Sequence, residues 1–197
     1  VKKMWLAIVL FVVVAALAVA GCQAVRAGYE SAPYRVVRAD GKFELRDYPA
    51  LTVAETPLGG TGGGDNGSFM RLFRFIGGSN QAQQKISMTT PVFMSGSGTN
   101  ATMAFVMPAK LETANVPRPA DPRVQVRAFE AGRFAVLRFS GRRSPANEAK
   151  ARERLQQWMQ AEGLKALSPP VYAYFDPPWT PSFLRRNEVM IQTESGQ

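Results

Sequence analysis

Three cations lie close together in a stretch rich in aromatic and methionine side chains: Arg71, Arg74 and Lys85, set among Phe69, Met70, Phe73 and Met88. Such apolar side chains suit a flat apolar ligand, and a guanidinium or ammonium at the mouth of the site would meet its carboxylates. These residues form the candidate binding set. The alternative for each cation is an ordinary solvated charge. Most of the methionines are read as filler for irregular gaps in a core.

Catalysis has much less to draw on. Histidine is absent and cysteine occurs once, at Cys22, which excludes a Ser-His-Asp triad, a His-ligated zinc centre and a haem iron on a proximal histidine. Carboxylates mostly stand beside arginines, as in Glu44/Arg46, Arg46/Asp47 and Arg152/Glu153, which reads as solvated strand or helix faces and not as a general acid and base. Gly62 to Gly67 formally matches G-x-G-x-x-G, yet no Asp or Glu occurs between Asp65 and Glu112 to hold a ribose. A mobile loop beside the site is expected there. No catalytic residue and no metal ligand is assigned.

The first residues carry an address. Lys2 and Lys3 precede an uncharged apolar run from Met4 to Gly21, the pattern of a signal peptide over residues 1–21. The run ends at Val19-Ala20-Gly21-Cys22, which resembles a bacterial lipobox and implies cleavage before Cys22 and acylation of its thiol, palmitate included. An uncleaved membrane helix is the alternative. Lipidation would also remove the one thiol from an oxidising compartment, and two or more acyl chains suffice for stable anchoring. Residues 22–33 then form a lipidated tether, and the chain faces the periplasm at the cell envelope. Gln23, where an Asp would retain a lipoprotein at the inner membrane, favours the outer membrane in a diderm bacterium.

Without its leader the chain keeps 176 residues and a formal charge of +7, enough length for one domain with a real core. Basic residues are scattered, with no run longer than Arg142-Arg143 or Arg185-Arg186. That distribution suits anionic headgroups and offers no phosphate-tracking stripe, so nucleic acid is not an expected partner.

Ordered structure is expected from Tyr34. Strand-like runs cover Tyr34 to Ala39, Lys42 to Tyr48 and Leu51 to Thr56, the first two split by Asp40-Gly41. After a glycine loop from Gly59 to Gly67, Phe69, Leu72, Phe73 and Ile76 make one apolar helix face, with Ser68 as N-cap and Gly77-Gly78 as the stop. Arg71 and Arg74 fall on the opposite face. Ala101 to Met107, Arg123 to Phe129 and Arg133 to Ser140 read as strands. Ser144-Pro145 opens a second helix to about Glu162, buried through Ala151, Leu155, Trp158 and Met159. Val171 to Asp176 and Asn187 to Thr193 are the last strands. The repeated order of strands, helix and strands predicts a duplicated α+β unit in a single domain over residues 34–193.

Motif order adds a family. Arg46-Asp47-Tyr48-Pro49, the helix from Phe69 to Asn80, Lys85-Ile86-Ser87-Met88-Thr89-Thr90-Pro91-Val92, Phe105-Val106-Met107-Pro108 and Arg186-Asn187-Glu188-Val189 follow one another. Together they resemble the SOUL family of haem-binding proteins. The resemblance implies a distorted antiparallel β-barrel flanked by two helices, with pseudo-twofold symmetry. It also implies non-covalent binding of haem or a related tetrapyrrole in a hydrophobic cleft, without catalysis. Some members use an axial histidine, for which this chain has no counterpart, so an iron ligand would be Met, Tyr or Lys, or absent. The alternative is an envelope interaction module of the same fold that binds a protein segment or lipid. No protein partner is identified.

Overall fold

The computed structural model describes residues 4–5, 28–59 and 64–194. Cys22, its lipobox, nearly all of the expected leader, and Gly62 and Gly63 lie outside the described residues. The elements in chain order are β1 (Glu30–Ser31), β2 (Arg35–Asp40), β3 (Phe43–Tyr48), β4 (Leu51–Pro57), α1 (Gly64–Ile76), β5 (Thr89–Thr90), β6 (Val92–Ser95), β7 (Thr102–Val106), β8 (Gln125–Phe129), β9 (Gly132–Phe139), α2 (Pro145–Ala161), β10 (Val171–Tyr174) and β11 (Asn187–Thr193). Nine of the strands form one antiparallel sheet in the order β2-β3-β9-β11-β10-β6-β7-β4-β8. Ahead of the expected start at Tyr34, β1 pairs in parallel with β5.

Chain connectivity forces this sheet to curl. Only Pro49 and Ala50 join β3 to β4, and only Glu130 and Ala131 join β8 to β9, although five strands separate the members of each pair in the sheet. Laid flat, the intervening spacings would span about 29 Å. The connections reach about 11 Å at full stretch. The sheet therefore bends back on itself as an open, distorted barrel.

The strand order is also palindromic about the β10–β6 pair. Strands β9, β11 and β10 on one side mirror β4, β7 and β6 on the other, each trio belonging to a strand-helix-strand-strand unit. The units exchange a strand: β3 of the first pairs with β9 of the second, and β8 of the second pairs with β4 of the first. This is the duplicated, pseudo-twofold α+β unit.

Three apolar clusters follow from the curl. Tyr48, Val53, Phe93, Phe134, Val136 and Met190 fill the concave side. On the convex side, α1 covers Ala54, Met94, Met103 and Phe105, and α2 covers Leu45, Ala135, Leu137, Val189 and Ile191. Helix α2 begins as its sequence predicts, with the Ser144 hydroxyl accepting the Asn147 amide at 3.3 Å and Pro145 in the first turn. Its buried residues are Ala151, Leu155, Trp158 and Met159.

One expectation is overturned on the concave side. Glu44 and Arg46 do not lie on a solvated face: Arg46 and Glu188 are both 0% exposed. Arg46 donates through Nη1 and Nη2 to the Glu188 carboxylate at 2.7 and 3.1 Å, and through Nε to Glu44 at 2.7 Å. Arg186 donates to Glu188 at 2.9 Å and to the Tyr34 hydroxyl at 3.1 Å. The Arg46 guanidinium also lies 4.2 Å from the centre of the Tyr34 ring. Alternation on β3 explains the burial, because Glu44, Arg46 and Tyr48 share a face with Phe134 and Val136 of β9, and that face is the inside of the curl.

Burial alone would push the Glu188 carboxyl up, but the hydrogen bonds and charges of Arg46 and Arg186 outweigh it and hold the group below its ordinary value of 4.5. A depressed folded-state value means that this stabilisation is complete above 4.5 and is lost as the pH falls through the folded value. Stability in urea is expected to be flat near neutrality and to fall progressively below that point. Glu188→Ala leaves two guanidinium groups facing each other in the interior and lowers the unfolding free energy by about 3–5 kcal/mol. The check is a lower urea midpoint at unchanged slope.

Candidate functional site

Helix α1 lies across the first half of the sheet and presents two different faces. Leu72, Phe75 and Ile76 are buried against the sheet, whereas Phe69, Met70 and Phe73 are 36%, 43% and 47% exposed. The buried stripe is thus Ser68, Leu72, Phe75 and Ile76, one position behind the expected stripe of Phe69, Leu72, Phe73 and Ile76. Both registers satisfy a 3.6-residue period, and the sheet decides between them. Small Ser68 is fully buried where α1 leaves β4, its hydroxyl donating to the Pro57 carbonyl at 3.0 Å. It lies inside the helix and is not its N-cap, since α1 already begins at Gly64 within the expected glycine loop.

The same rotation separates the two arginines. Arg71 is 9% exposed and turns toward the sheet, where its Nε donates to Thr56 Oγ1 at 3.0 Å. It does not share the outward face with Arg74, which is exposed. The outward face keeps Phe69 and Phe73, with rings stacked 6.0 Å apart at 14°, and Phe69 meets Phe105 edge-on at 5.2 Å. Together with Met70 these rings form an apolar ledge open to the outside.

A short segment brings the remaining candidates alongside. Asn80 Nδ2 donates to the carbonyls of Phe75 at 3.1 Å and Gln84 at 2.7 Å, and its Oδ1 accepts the Gln84 amide at 3.0 Å. The Ile86 amide then bonds the Ile76 carbonyl at 2.8 Å. Lys85 is exposed next to this contact, and Met88 is half-buried against the cluster under α1. Farther on, Thr89 Oγ1 donates to the Val106 carbonyl at 2.6 Å and the Thr90–Pro91 peptide is cis. Phe69, Met70, Phe73 and Arg74 therefore lie on the outward face of α1 and Lys85 is exposed on its exit segment, whereas Arg71 faces the sheet and Met88 packs against the cluster beneath the helix.

The concave side offers less room. A cavity of about 200 Å³ opens at one mouth of the barrel between Val53, Phe93, Phe129, Phe134, Val171 and Gln192. Pockets that enclose a drug-sized ligand run to ~300–1,000 Å³. Phe129 stacks on Phe93 and Phe134 at 5.1 and 5.6 Å and narrows this space, and the buried Arg46–Glu188 network occupies another part of the concave side. A macrocycle cannot be enclosed there. Among the described residues, no three of His, Cys, Asp and Glu group to hold a metal ion.

Two exposed aromatics were not marked by any motif. Trp179 and Phe183, 77% and 74% exposed, stand on the loop between β10 and β11. Their only signal in the sequence is position, in a run punctuated by Pro177, Pro178 and Pro181 with no apolar period.

The two arginines of α1 make opposite predictions. Arg71→Ala strips the buried Thr56 hydroxyl of its donor and costs about 1–3 kcal/mol in urea unfolding. Arg74→Ala stays within about 0.5 kcal/mol of the parent.

Comparison with known proteins supplies a family and a fold. A family model described as SOUL heme-binding protein matches residues 29–192. No curated protein matches the chain significantly. Similar solved structures include one described as a hydrolase from Listeria innocua, 13% identical, with 80% of this chain and 94% of that chain covered at a TM-score of 0.56. The EcmrR C-terminal domain is 16% identical, with 83% and 99% covered at a TM-score of 0.51. EcmrR in its complex with DNA is 15% identical, with 78% and 57% covered at a TM-score of 0.55. At these identities the likeness is one of fold.

Proposed function

Because the chain belongs to the SOUL heme-binding protein family, we propose that it binds haem or a related tetrapyrrole, non-covalently and without catalysis, on the outer face of α1. The observation that carries this reading is the exposed ledge of Phe69, Met70 and Phe73, with Arg74 on the same outward face and Lys85 exposed on the segment that leaves the helix. Parallel phenyl rings and a thioether suit one face of a planar macrocycle, and the two cations suit its propionates. An open ledge holds such a ligand by contact and edge charge, which fits buffering, scavenging or transfer better than sequestration. With no imidazole in the chain, the exposed Met70 thioether is the candidate iron ligand on this face, or the iron has none. The macrocycle would supply the colour and the redox chemistry. The residues of the ledge bind and orient it.

Haemin titrated into the full-length protein in detergent is expected to give a Soret shift that saturates at one equivalent. Phe73→Ala and the Arg74→Ala/Lys85→Ala pair each weaken it several-fold. Unsaturable binding, or saturation indifferent to these changes, would instead favour an interaction module for a protein segment or lipid.

The address is part of the proposal. The apolar leader and the Val19-Ala20-Gly21-Cys22 ending support a lipoprotein anchored through Cys22 at the cell envelope, on the outer membrane in a diderm host. Cells fed labelled palmitate should incorporate it into the parent chain and not into Cys22→Ser. Equal labelling of both would sink the anchor.

A further inference from the structure

The loop between β10 and β11 puts two large aromatics into solvent without giving them freedom to hide. Trp179 is flanked by carbonyls that a single guanidinium holds: Arg185 Nε donates to Thr180 O at 2.8 Å, and its Nη2 donates to Pro178 O. The Ser182 carbonyl accepts the Gly141 amide at 2.9 Å, and Asn187 Nδ2 donates to the Gly141 carbonyl at 3.0 Å. Thr180, between the two aromatics, is buried. Trp179 and Phe183 are thus displayed from a clamped loop, which keeps about 150–250 Å² of aromatic surface on each ready to be covered.

The place of this loop in the fold says what could cover it. The chain enters the fold through β1, which pairs with Thr89 and Thr90, and the Ala32 amide bonds the Thr90 carbonyl at 2.8 Å. Two residues on, Val92 is paired with Tyr174, the last residue before the loop. At the far end of the loop, Arg186 reaches the Tyr34 hydroxyl at 3.1 Å. The entering segment and the Trp179–Phe183 loop therefore share one end of the barrel. Six residues carry the chain from Cys22 to Gly28, a reach of about 20 Å at most. If Cys22 is anchored in a bilayer, this end of the barrel is held against it.

Charge at this end suits an anionic surface. Arg142 and Arg143 are exposed next to Gly141, and Arg185 lies within the loop. Carboxylates at this end are engaged: Asp176 accepts the Arg186 amide at 2.6 Å, Glu30 accepts the Ala109 amide at 2.7 Å, and Glu148 lies 3.4 Å from Arg143 and accepts the Tyr174 hydroxyl. Trp and Phe beside Arg are the side chains that partition to the headgroup level of a membrane.

We propose that Trp179 and Phe183 form an interfacial wedge that docks the barrel onto the anionic membrane surface to which the chain is tethered, fixing the orientation of the domain. Docking rests on the lipid-anchored reading of Cys22, and the test separates the two. The full-length lipidated protein is reconstituted into vesicles of phosphatidylcholine with phosphatidylglycerol, and tryptophan quenching by brominated acyl chains is measured for the parent, Trp179→Phe and Arg142→Gln/Arg143→Gln.

The parent is expected to show a quenched component that disappears in Trp179→Phe. That component should shrink several-fold in the arginine pair and in vesicles of phosphatidylcholine alone. If the protein floats with the vesicles but the parent and Trp179→Phe are quenched equally, the anchor stands and the wedge is overturned, leaving the loop to a protein partner or a second copy. A protein that stays off the vesicles overturns anchor and wedge together. A quenched Trp179 component indifferent to headgroup charge and to both arginines would keep the aromatic insertion and remove the anionic surface from the proposal.

Discussion

Two connections of two residues each shape this protein. Pro49-Ala50 and Glu130-Ala131 join strands that lie six places apart in the sheet, and no flat arrangement satisfies so short a reach. Everything else follows from that closure. The sheet acquires an inside, each helix is left to a separate convex face, and the palindromic strand order becomes a pseudo-twofold in which each half lends a strand to the other.

Curling creates a concave space, and its contents decide where function can reside. Aromatic rings occupy the middle, and a charged cluster of Arg46, Glu188, Arg186 and Glu44 occupies one end. A buried ion cluster is costly to desolvate and is stable here because its members satisfy one another across β3 and β11. Beyond that small cavity, the apolar surface that the described residues leave for partners is on the outside. It lies on the free face of α1 and at the end of the barrel where the chain enters, two patches with different chemistry and different proposed occupants.

Much of the architecture was legible along the chain. The positions of β2 to β4 and β7 to β11 and the whole of α2, with its Ser144 cap and its buried Leu155 and Trp158, follow from periodicity and local capping chemistry, whereas the short β1, β5 and β6 do not. The motif residues pointed to the family, though not to their own roles. Arg46, Tyr48, Arg186 and Glu188 stand out in the sequence as motif residues, yet Glu44 beside Arg46 reads as a solvated face until two distant strands are brought onto one concave surface. On α1, period alone permits two registers, and only the contact of Ser68 with Pro57 and of Arg71 with Thr56 selects the one in which Phe69 and Phe73 look outward.

The sequence by itself determined which chemistries were impossible, through its lack of histidine, and which segments alternate or repeat, because these depend on side-chain type and spacing within a few residues. Tertiary structure alone decided which face of a strand or helix meets the core, which charges pair in the interior, and that the entry of the chain and the Trp179 loop share one end. Those properties depend on contacts between residues as far apart as Arg46 and Glu188, and a local pattern contains no information about a closure made by the whole sheet.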